Sequence, residues 1–209
     1  MPKVAYSEAE RERIKEALLE TGLELFAAQG IQHTTVEQIY TRVGISRTFF
    51  YSFFPTKEDF VVQAFYRQRP KIVEHARRIM EDPNMDWRGG IRRFLQDGCY
   101  AAGNRFAVMT VEEQQAVYRH LSAEGCRALK EKQLAFFSDI LGAFGIHAEE
   151  AAAKLLWNYV LSVAIIRKAI PNTLPFLFPE AADDMVELQI DALLGYVEKL
   201  RERQNEIQD

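Results

Sequence analysis

Apolar residues recur every three or four positions along most of this chain, which is the spacing of one face of an α-helix. No segment shows the strict alternation of apolar and polar residues that a half-buried strand needs. A capping box, Ser7 with Glu10, starts a first helix, and two short helices follow it. Beyond Pro55 the pattern predicts further helices over residues 57–80, 87–102, 108–120, 122–144, 147–169 and 180–205. The chain is therefore predicted to be all-α, with about nine helices.

The first of the two short helices is predicted to end at Gly44. Thr34 and Thr35 both suit its N-cap. Glu37 and Gln38 stand three residues after them, where the second half of a capping box belongs. Its apolar face consists of Val36, Ile39, Tyr40 and Val43. Glycine readily takes the left-handed conformation that ends a helix, so a tight turn is expected at Gly44.

The second short helix is unusually aromatic. Ser46 suits its N-cap, and the helix is predicted to run to Phe54, because Pro55 cannot continue it. Five of the six residues in 49–54 are aromatic, and they cannot all face one core. Two short helices joined by a tight turn form the layout of a helix-turn-helix DNA reader. In such readers the start of the second helix meets the base edges.

These motifs resemble the N-terminal domain of the TetR family of bacterial transcriptional regulators over about residues 10–65. The segments that carry the resemblance are Leu18–Gly30, Thr34–Gly44, Ile45–Tyr51 and Phe54–Glu58. The resemblance implies a three-helix DNA-binding domain over residues 1–56 and a larger helical effector-binding and dimerisation domain over 57–209. It also implies a homodimeric repressor that binds a palindromic double-stranded operator and is released by a small molecule.

The chain departs from the family pattern at several positions. Thr21 and Gly22 stand where the family usually has a pair of alanines, and Phe49 stands where a small hydroxyl residue is common. Two roles are open to Phe49: contact with a thymine methyl group, or packing on the neighbouring helix.

Arg47 is the best candidate for a direct base contact, because a guanidinium can bind O6 and N7 of guanine together. The alternative for Arg47 is a phosphate contact or a surface salt bridge. Thr48 and Phe49 would lie close to the base edges.

Phosphate contacts are expected beside these residues. The helix start at Thr34 or Thr35 suits an anion, and Lys57 would add a contact to the DNA backbone. The resemblance implies a phosphate bond from the Tyr51 hydroxyl, with core packing as the alternative. The whole set predicted to contact DNA is Thr34, Thr35, Arg47, Thr48, Phe49, Tyr51, Ser52 and Lys57.

The net charge of −4 argues at first against a nucleic-acid partner. However, residues 1–70 carry nine basic and nine acidic residues, so the excess acid lies further along the chain. Residues 34–57 contain three basic residues and one acidic residue. A modest positive surface and salt-sensitive binding are expected there.

The last predicted helix has two apolar stripes. The first stripe follows heptad spacing and consists of Val186, Ile190, Leu193, Val197 and Leu200. The second stripe consists of Met185, Leu188, Ala192 and Tyr196. A helix that is apolar on two sides must be covered on both, which favours a four-helix dimer interface over a monomeric core. The predicted interface residues are Leu155, Tyr159, Ser162, Val163, Ile166, Val186, Ile190, Leu193, Val197 and Leu200.

Aromatic and soft side chains in the C-terminal part are numerous enough to line an apolar cavity. The candidates for contact with a small-molecule effector are Trp87, Phe94, Met109, Tyr118, Phe137, Trp157 and Tyr159. By the resemblance, such a ligand would shift the population towards a state that does not fit the operator.

Other classes of protein have less support. The four histidines show no metal-ligand spacing, and no phosphate-binding loop or nucleophile motif is present, so no catalytic residue, cofactor or metal is predicted. Asp97 and Cys99 share one predicted helix, but nothing else converges on them. Cys99 and Cys126 leave a redox-sensing regulator open as an alternative, beside a metal-sensing one and a small all-α enzyme.

The expected location is the cytoplasm, with no membrane partner. The N-terminal residues do not resemble a signal peptide. The longest nearly apolar stretch, residues 155–166, is too short to span a bilayer.

Overall fold

A computed structural model describes residues 6–100, 107–170 and 174–208. Within these ranges the chain forms nine α-helices and no strand, which confirms the all-α prediction. The helices are α1 (Glu8–Gln29), α2 (Val36–Val43), α3 (Arg47–Tyr51), α4 (Lys57–Glu81), α5 (Trp87–Tyr100), α6 (Val111–His120), α7 (Ala123–Ala143), α8 (Glu150–Ala169) and α9 (Ala182–Gln208). A 3-10 turn, Pro179–Ala181, precedes α9. None of these helices is both long and apolar enough to cross a membrane.

The capping signals locate the starts of the N-terminal helices. Ser7 and Glu10 form the predicted capping box of α1. Thr35, rather than Thr34, is the N-cap of α2 and shares its capping box with Gln38. Gly44 takes the left-handed conformation, with φ 80° and ψ 31°.

The aromatic helix α3 is shorter than predicted. Ser46 caps it as expected, but it ends at Tyr51 instead of Phe54. The backbone N–H of Phe53 bonds to the carbonyl of Phe50, three residues back, so the chain tightens into a turn before Pro55 is reached.

Helix α4 joins two apolar cores. Its first turns contribute Phe60, Val61 and Ala64 to an N-terminal core shared with α1, α2 and α3. Its later turns contribute Val73 and Ala76 to a larger core that helices α5, α7, α8 and α9 complete. The N-terminal core also takes in Val117 of α6 and therefore extends beyond residue 56. Because α4 is continuous across Pro70, it connects the two cores directly.

The glycine at position 22 is required by the Phe60 ring. A Cβ atom on Gly22 would lie 2.4 Å from Cζ of Phe60 and 2.6 Å from Cε1. Phe60 has no exposed surface, so its ring has no free space to move into. At position 22, a large residue on α4 is thus matched by the smallest residue on α1.

We expect Gly22→Ala to lower the free energy of unfolding by up to about 2 kcal/mol. Overpacking costs about 1–3 kcal/mol, and the better helix propensity of alanine offsets about 1 kcal/mol. Urea denaturation would measure the change. Gly142→Ala in α7 is the matched control and should be neutral or stabilising, since nothing lies within 4 Å of the added Cβ. Phe60→Leu should restore part of the loss, and a Gly22→Ala variant as stable as wild type would contradict this packing.

The heptad stripe of α9 is buried in its own subunit. Val186, Ile190, Leu193 and Val197 are between 0% and 7% exposed and lie in the larger core with Val163 of α8. The dimer-interface prediction is wrong for these residues, because the stripe packs against α5 and α8 of the same chain.

The other apolar stripe of α9 faces outward. Leu188 is 71% exposed, and Ala192 and Tyr196 are exposed beside it. Among the residues predicted for the interface, Leu155 and Ser162 of α8 are exposed. Tyr159, Ile166 and Leu200 are half-buried.

Helices α8 and α9 run antiparallel. Nε of Arg167 lies 2.8 Å from Oδ1 of Asp183, near the end of α8 and the start of α9. Nearer the middle of both helices, the hydroxyl of Tyr159 donates to the carbonyl of Gln189 at 3.1 Å. Leu155 lies one turn before Tyr159 on α8, and Ala192 lies about one turn after Gln189 on α9. Because the two helices run in opposite directions, Leu155 and Ala192 lie at about the same level.

Candidate nucleic-acid interface and ligand cavity

Helix α3 presents a polar face to solvent and an aromatic face to the core. The backbone N–H of Ile45 bonds to the carbonyl of Tyr40, which holds α2 and α3 in the angle of the turn. Phe50 has no exposed surface and anchors α3. Four residues predicted to contact DNA are exposed here: Arg47, Thr48 and Tyr51 on α3, and Ser52 at its C-cap.

Arg47 is positioned to reach a partner outside the chain. It makes no ion pair with any of the described residues, and its guanidinium carbon lies 5.7 Å from the centre of the Tyr51 ring. The cation at the start of α3 and the phenol at its end therefore share the exposed face of this one-turn helix.

Phe49 packs on the segment that precedes α1. Its ring stacks on Tyr6 with centroids 4.7 Å apart and meets Phe53 edge to face at 5.0 Å. The guanidinium of Arg11 lies over both phenylalanine rings, 5.3 Å and 4.7 Å from their centres. Of its two open roles, the structure gives Phe49 a packing contact. The sequence carried no signal for this cluster, since its members are distant along the chain.

Two predicted phosphate ligands are directed inward. Thr34 is fully buried, and its hydroxyl donates to the carbonyl of Gly30 at 2.7 Å. The Lys57 ammonium donates to the carbonyls of Ile31 and Thr34 at 2.8 and 2.6 Å. Burial lowers the pKa of Lys57. The predictions for Thr34 and Lys57 are corrected accordingly: both side chains are bound to backbone groups of the α1–α2 loop. Thr35 remains exposed at the start of α2.

The α1–α2 loop is also held from α6. Glu113 is 5% exposed, and its Oε1 accepts hydrogen bonds from the backbone N–H groups of Ile31 and Gln32 at 2.9 and 3.2 Å. Ile31 is thus bound at its N–H by α6 and at its carbonyl by Lys57 of α4. We call these contacts the Glu113 joint. They connect the helix-turn-helix to the C-terminal helices, and no sequence motif indicated them.

A cavity of about 710 Å³ lies among helices α4–α9. Its lining includes six of the residues predicted for the effector site, namely Phe94, Met109, Tyr118, Phe137, Trp157 and Tyr159. Trp87 is the exception. Its indole N–H donates to the carbonyl of Phe144 at 2.7 Å, outside the lining, so the prediction is wrong for Trp87.

Two glutamines of the cavity lining differ in their hydrogen bonds. Gln68 is bound to both backbone groups of Ala107, at 3.0 and 3.1 Å. By contrast, Oε1 of Gln189 is buried in the lining without a donor among the described residues. An apolar cavity with one such acceptor suits a small organic molecule.

Residues 18–64 match the family described as bacterial regulatory proteins, tetR family. The matched residues span α1 to the first turns of α4, so the N-terminal helices of this chain are those of that family's N-terminal domain. No curated protein sequence gives a significant match.

Solved TetR-family structures share the fold. A regulator from Pectobacterium atrosepticum is 20% identical, with 93% of this chain and 97% of that chain covered and a TM-score of 0.59. One from Streptomyces coelicolor is 17% identical, with coverages of 89% and 96% and a TM-score of 0.55. The reduced form of Escherichia coli NemR is 17% identical, with coverages of 90% and 96% and a TM-score of 0.54. At this identity they establish the fold alone, and the matched family model assigns the helix-turn-helix domain to residues 18–64.

Both cysteines of the chain are free. Cys99 lines the cavity, and burial raises the pKa of its thiol to about 11, with a smaller opposing effect from Arg167. Cys126 is buried and its Sγ lies 4.0 Å from the carbonyl of Tyr118. Cys99 is therefore held as a thiol at neutral pH, which disfavours rapid reaction with oxidants.

In a Cys126→Ser variant, we expect alkylation of Cys99 by iodoacetamide to be slow at neutral pH. The rate should keep rising with pH up to a midpoint near about 11, because only the thiolate reacts. Mass spectrometry across pH would measure it. The same variant in denaturant should show a midpoint near about 8.5, the ordinary thiol value. A folded-state midpoint below that value would instead support the redox-sensing alternative.

His75 and Arg93 converge on Asp97, which the sequence pattern left isolated. Nε2 of His75 lies 2.8 Å from one carboxylate oxygen of Asp97, and Nε of Arg93 lies 3.0 Å from the other. The His75 and Asp97 side chains are 14% and 12% exposed, so the pair ties α4 to α5 in a largely buried setting. Within the described residues, no three His, Cys, Asp or Glu side chains are grouped so as to hold a metal ion.

Proposed function

We propose that this protein is a homodimeric repressor that binds a two-fold symmetric operator and is released by a small molecule bound in the cavity. The observation that carries the proposal is the Glu113 joint, because it connects the helix-turn-helix to α6, a helix that also lines the cavity. Through α6, occupation of the cavity would therefore affect the position of α3.

The DNA contacts follow from the exposed residues of α2 and α3. Arg47 and Thr48 would contact base edges in the major groove. Tyr51 and Ser52 would contact phosphates, and the exposed start of α2 at Thr35 would bind another. Phe49 would support α3 from behind, through its stacking on Tyr6.

The dimer would form through the outward faces of α8 and α9. Leu188, Ala192 and Tyr196 form an exposed apolar stripe, and Leu155 extends it across to α8 at the level of Ala192. Ser162 lies on the same exposed side of α8. Exposed apolar surface of this kind is commonly covered by a partner, and a two-fold axis would bring the same stripe of a second copy against it.

Release would come through α6. Gln114, Val117 and Tyr118 line the cavity, and Glu113 on the same helix binds the α1–α2 loop. A ligand that prefers a displaced α6 would move this loop with it and alter the spacing of the two α3 helices in the dimer. The ligand then needs only a differential affinity for the two arrangements to shift the population away from DNA.

We expect Glu113→Ala to loosen the α1–α2 loop and lower the free energy of unfolding by about 1–3 kcal/mol. The reason is that the substitution leaves the buried N–H of Ile31 and the partly buried N–H of Gln32 without an acceptor. Native-state amide exchange should show faster exchange at Ile31 and Gln32, with little change in the middle of α1. Glu113→Gln keeps one acceptor oxygen, so its free energy of unfolding and its amide exchange rates should lie between those of wild type and of Glu113→Ala. Unchanged exchange at both amides would remove the Glu113 joint from the mechanism.

Selection of bound sites from a random DNA pool tests the proposal as a whole. The enriched sequences should be inverted repeats, with half-site centres separated by about one helical turn or a multiple of it. Arg77→Ala, an exposed substitution on α4 away from α3, should enrich the same sequences. If no sequence is enriched, the proposal that this protein binds a specific operator is contradicted. Repression is then tested by placing the selected site in a reporter promoter, where the protein should lower expression.

A further inference from the structure

The charged residues that line the cavity are all cationic. They are Arg69 on α4, Arg119 on α6 and Lys130 on α7, and no aspartate or glutamate is among the described lining residues. This is uneven for a chain in which 30 acidic residues outnumber 26 basic ones. The cavity therefore has a positive potential that its own lining does not neutralise.

Arg69 is the most constrained of the three cations. Its guanidinium carbon lies 4.3 Å from the centre of the Tyr66 ring and 5.1 Å from that of Phe136. Its recorded polar contact is a 2.9 Å hydrogen bond to the carbonyl of Lys132, and it makes no ion pair with the described residues. The Lys132 ammonium lies 5.1 Å from the same Tyr66 ring, which adds a second positive charge. Burial also lowers the pKa of Arg69, with a smaller opposing effect from Tyr66.

The cations lie on the side where the cavity opens. The exposed lining residues belong to α6 and α7, namely Val111, Gln115, Tyr118, Arg119 and Lys130. Because Arg69 reaches the carbonyl of Lys132 on α7, it lies on the same side as Lys130. The rest of the lining is mainly aromatic and aliphatic, with Phe137 and Val163 fully within the core.

We propose that the cavity takes an apolar organic acid, whose carboxylate binds at Arg69 and whose apolar body lies against the aromatic lining. An anion at Arg69 would supply the missing counter-charge, and a guanidinium can bind a carboxylate through two parallel hydrogen bonds. This inference rests on the proposed function for its regulatory meaning, but binding itself is independent of DNA.

The test compares three probes that share a ten-carbon chain and differ in the head group: decanoate, decan-1-ol and decyltrimethylammonium. Isothermal titration calorimetry on the whole chain measures affinity, with decan-1-ol kept below its solubility limit and the two ionic probes below their critical micelle concentrations. We expect decanoate to bind about ten- to a hundredfold more tightly than decan-1-ol, and the cation to bind least. Equal affinities, tighter binding of the cation, or no binding of decanoate would each overturn the proposal.

Arg69→Gln tests the assigned carboxylate site. The variant should lose most of the preference for decanoate over decan-1-ol while its affinity for decan-1-ol stays unchanged. Arg77→Gln removes one exposed charge from the same helix and is the matched control, so it should keep the preference. If Arg69→Gln is too unstable to titrate, Arg119→Gln with Lys130→Gln in one chain should weaken the preference instead. A preference that survives in the Arg69→Gln variant would overturn the assignment.

A gel shift with the selected operator separates this inference from the proposed function. If decanoate binds with the expected dependence on Arg69 but leaves DNA affinity unchanged, the ligand class stands and effector release fails. If DNA binding to an inverted repeat is found but decanoate does not bind, the ligand class fails and the DNA-binding proposal stands.

Discussion

The Leu188→Asp variant is expected to be a monomer and to bind operator DNA at least about a hundredfold more weakly than wild type. In the proposed dimer the apolar stripe of one α9 faces the same stripe of the partner, so a single substitution places two carboxylates in one apolar contact. Burial of an unpaired charge costs several kcal/mol, and two like charges near a two-fold axis also repel each other. A monomer engages one half-site and loses the gain from binding both together.

Sedimentation velocity and a gel shift with the selected operator would measure the two effects. Leu188 is 71% exposed in the subunit, so circular dichroism should show a normally folded chain. Ala135→Asp is the matched control, because it adds a carboxylate at another exposed helical position, on α7. A Leu188→Asp variant that sediments as a dimer would move the interface away from this face.

Arg47→Ala is expected to have the second largest effect, a loss of about 1–3 kcal/mol in specific binding for each half-site. Arg47 is exposed at the start of α3 and has no carboxylate partner among the described residues, so its loss should leave the fold unchanged. Specificity should relax at one base position of each half-site, because a bidentate contact to guanine is removed.

Arg47→Lys distinguishes base contact from simple attraction to phosphate. Lysine keeps the charge but lacks the planar pair of donors, so it should restore non-specific binding more than sequence preference. Arg42→Ala is the control. Arg42 is exposed on α2 and paired with Glu24 at 3.0 Å, so its removal should change operator affinity only slightly. An Arg47→Ala variant with unchanged preference across the selected sites would remove Arg47 from base recognition.

The sequence predicted the helix-turn-helix well because its signals are local. Thr35 with Gln38, Gly44 and Ser46 act through hydrogen bonds and backbone preferences that span three or four residues. Such signals can be read without knowledge of the rest of the chain. Where two local signals competed, as for Thr34 and Thr35, the tertiary structure decided: Thr34 is fully buried, and its carbonyl accepts a hydrogen bond from Lys57, 23 residues further along the chain.

The sequence predicted a cavity lined by aromatic and apolar side chains, and one of the residues it named, Trp87, lies outside the lining. Aromatic residues with apolar neighbours on α5–α8 were enough to indicate a lining, and most of the candidates are in it. Trp87 differs because its indole N–H finds the carbonyl of Phe144, a residue 57 positions away. No periodic pattern encodes such a contact.

By itself, then, the order of the residues determined that this chain is helical, that Ser7 and Ser46 cap α1 and α3, that α2 ends at Gly44, and that α3 carries a cation at its leading end. Only the tertiary structure decided which stripe of α9 is buried, that Lys57 and Thr34 face the α1–α2 loop, and that Glu113 joins α6 to that loop. The physical reason is one of range. Caps and periodicity are properties of neighbouring residues, whereas the choice between two equally apolar faces, or the partner of a buried charge, depends on which distant helices pack alongside.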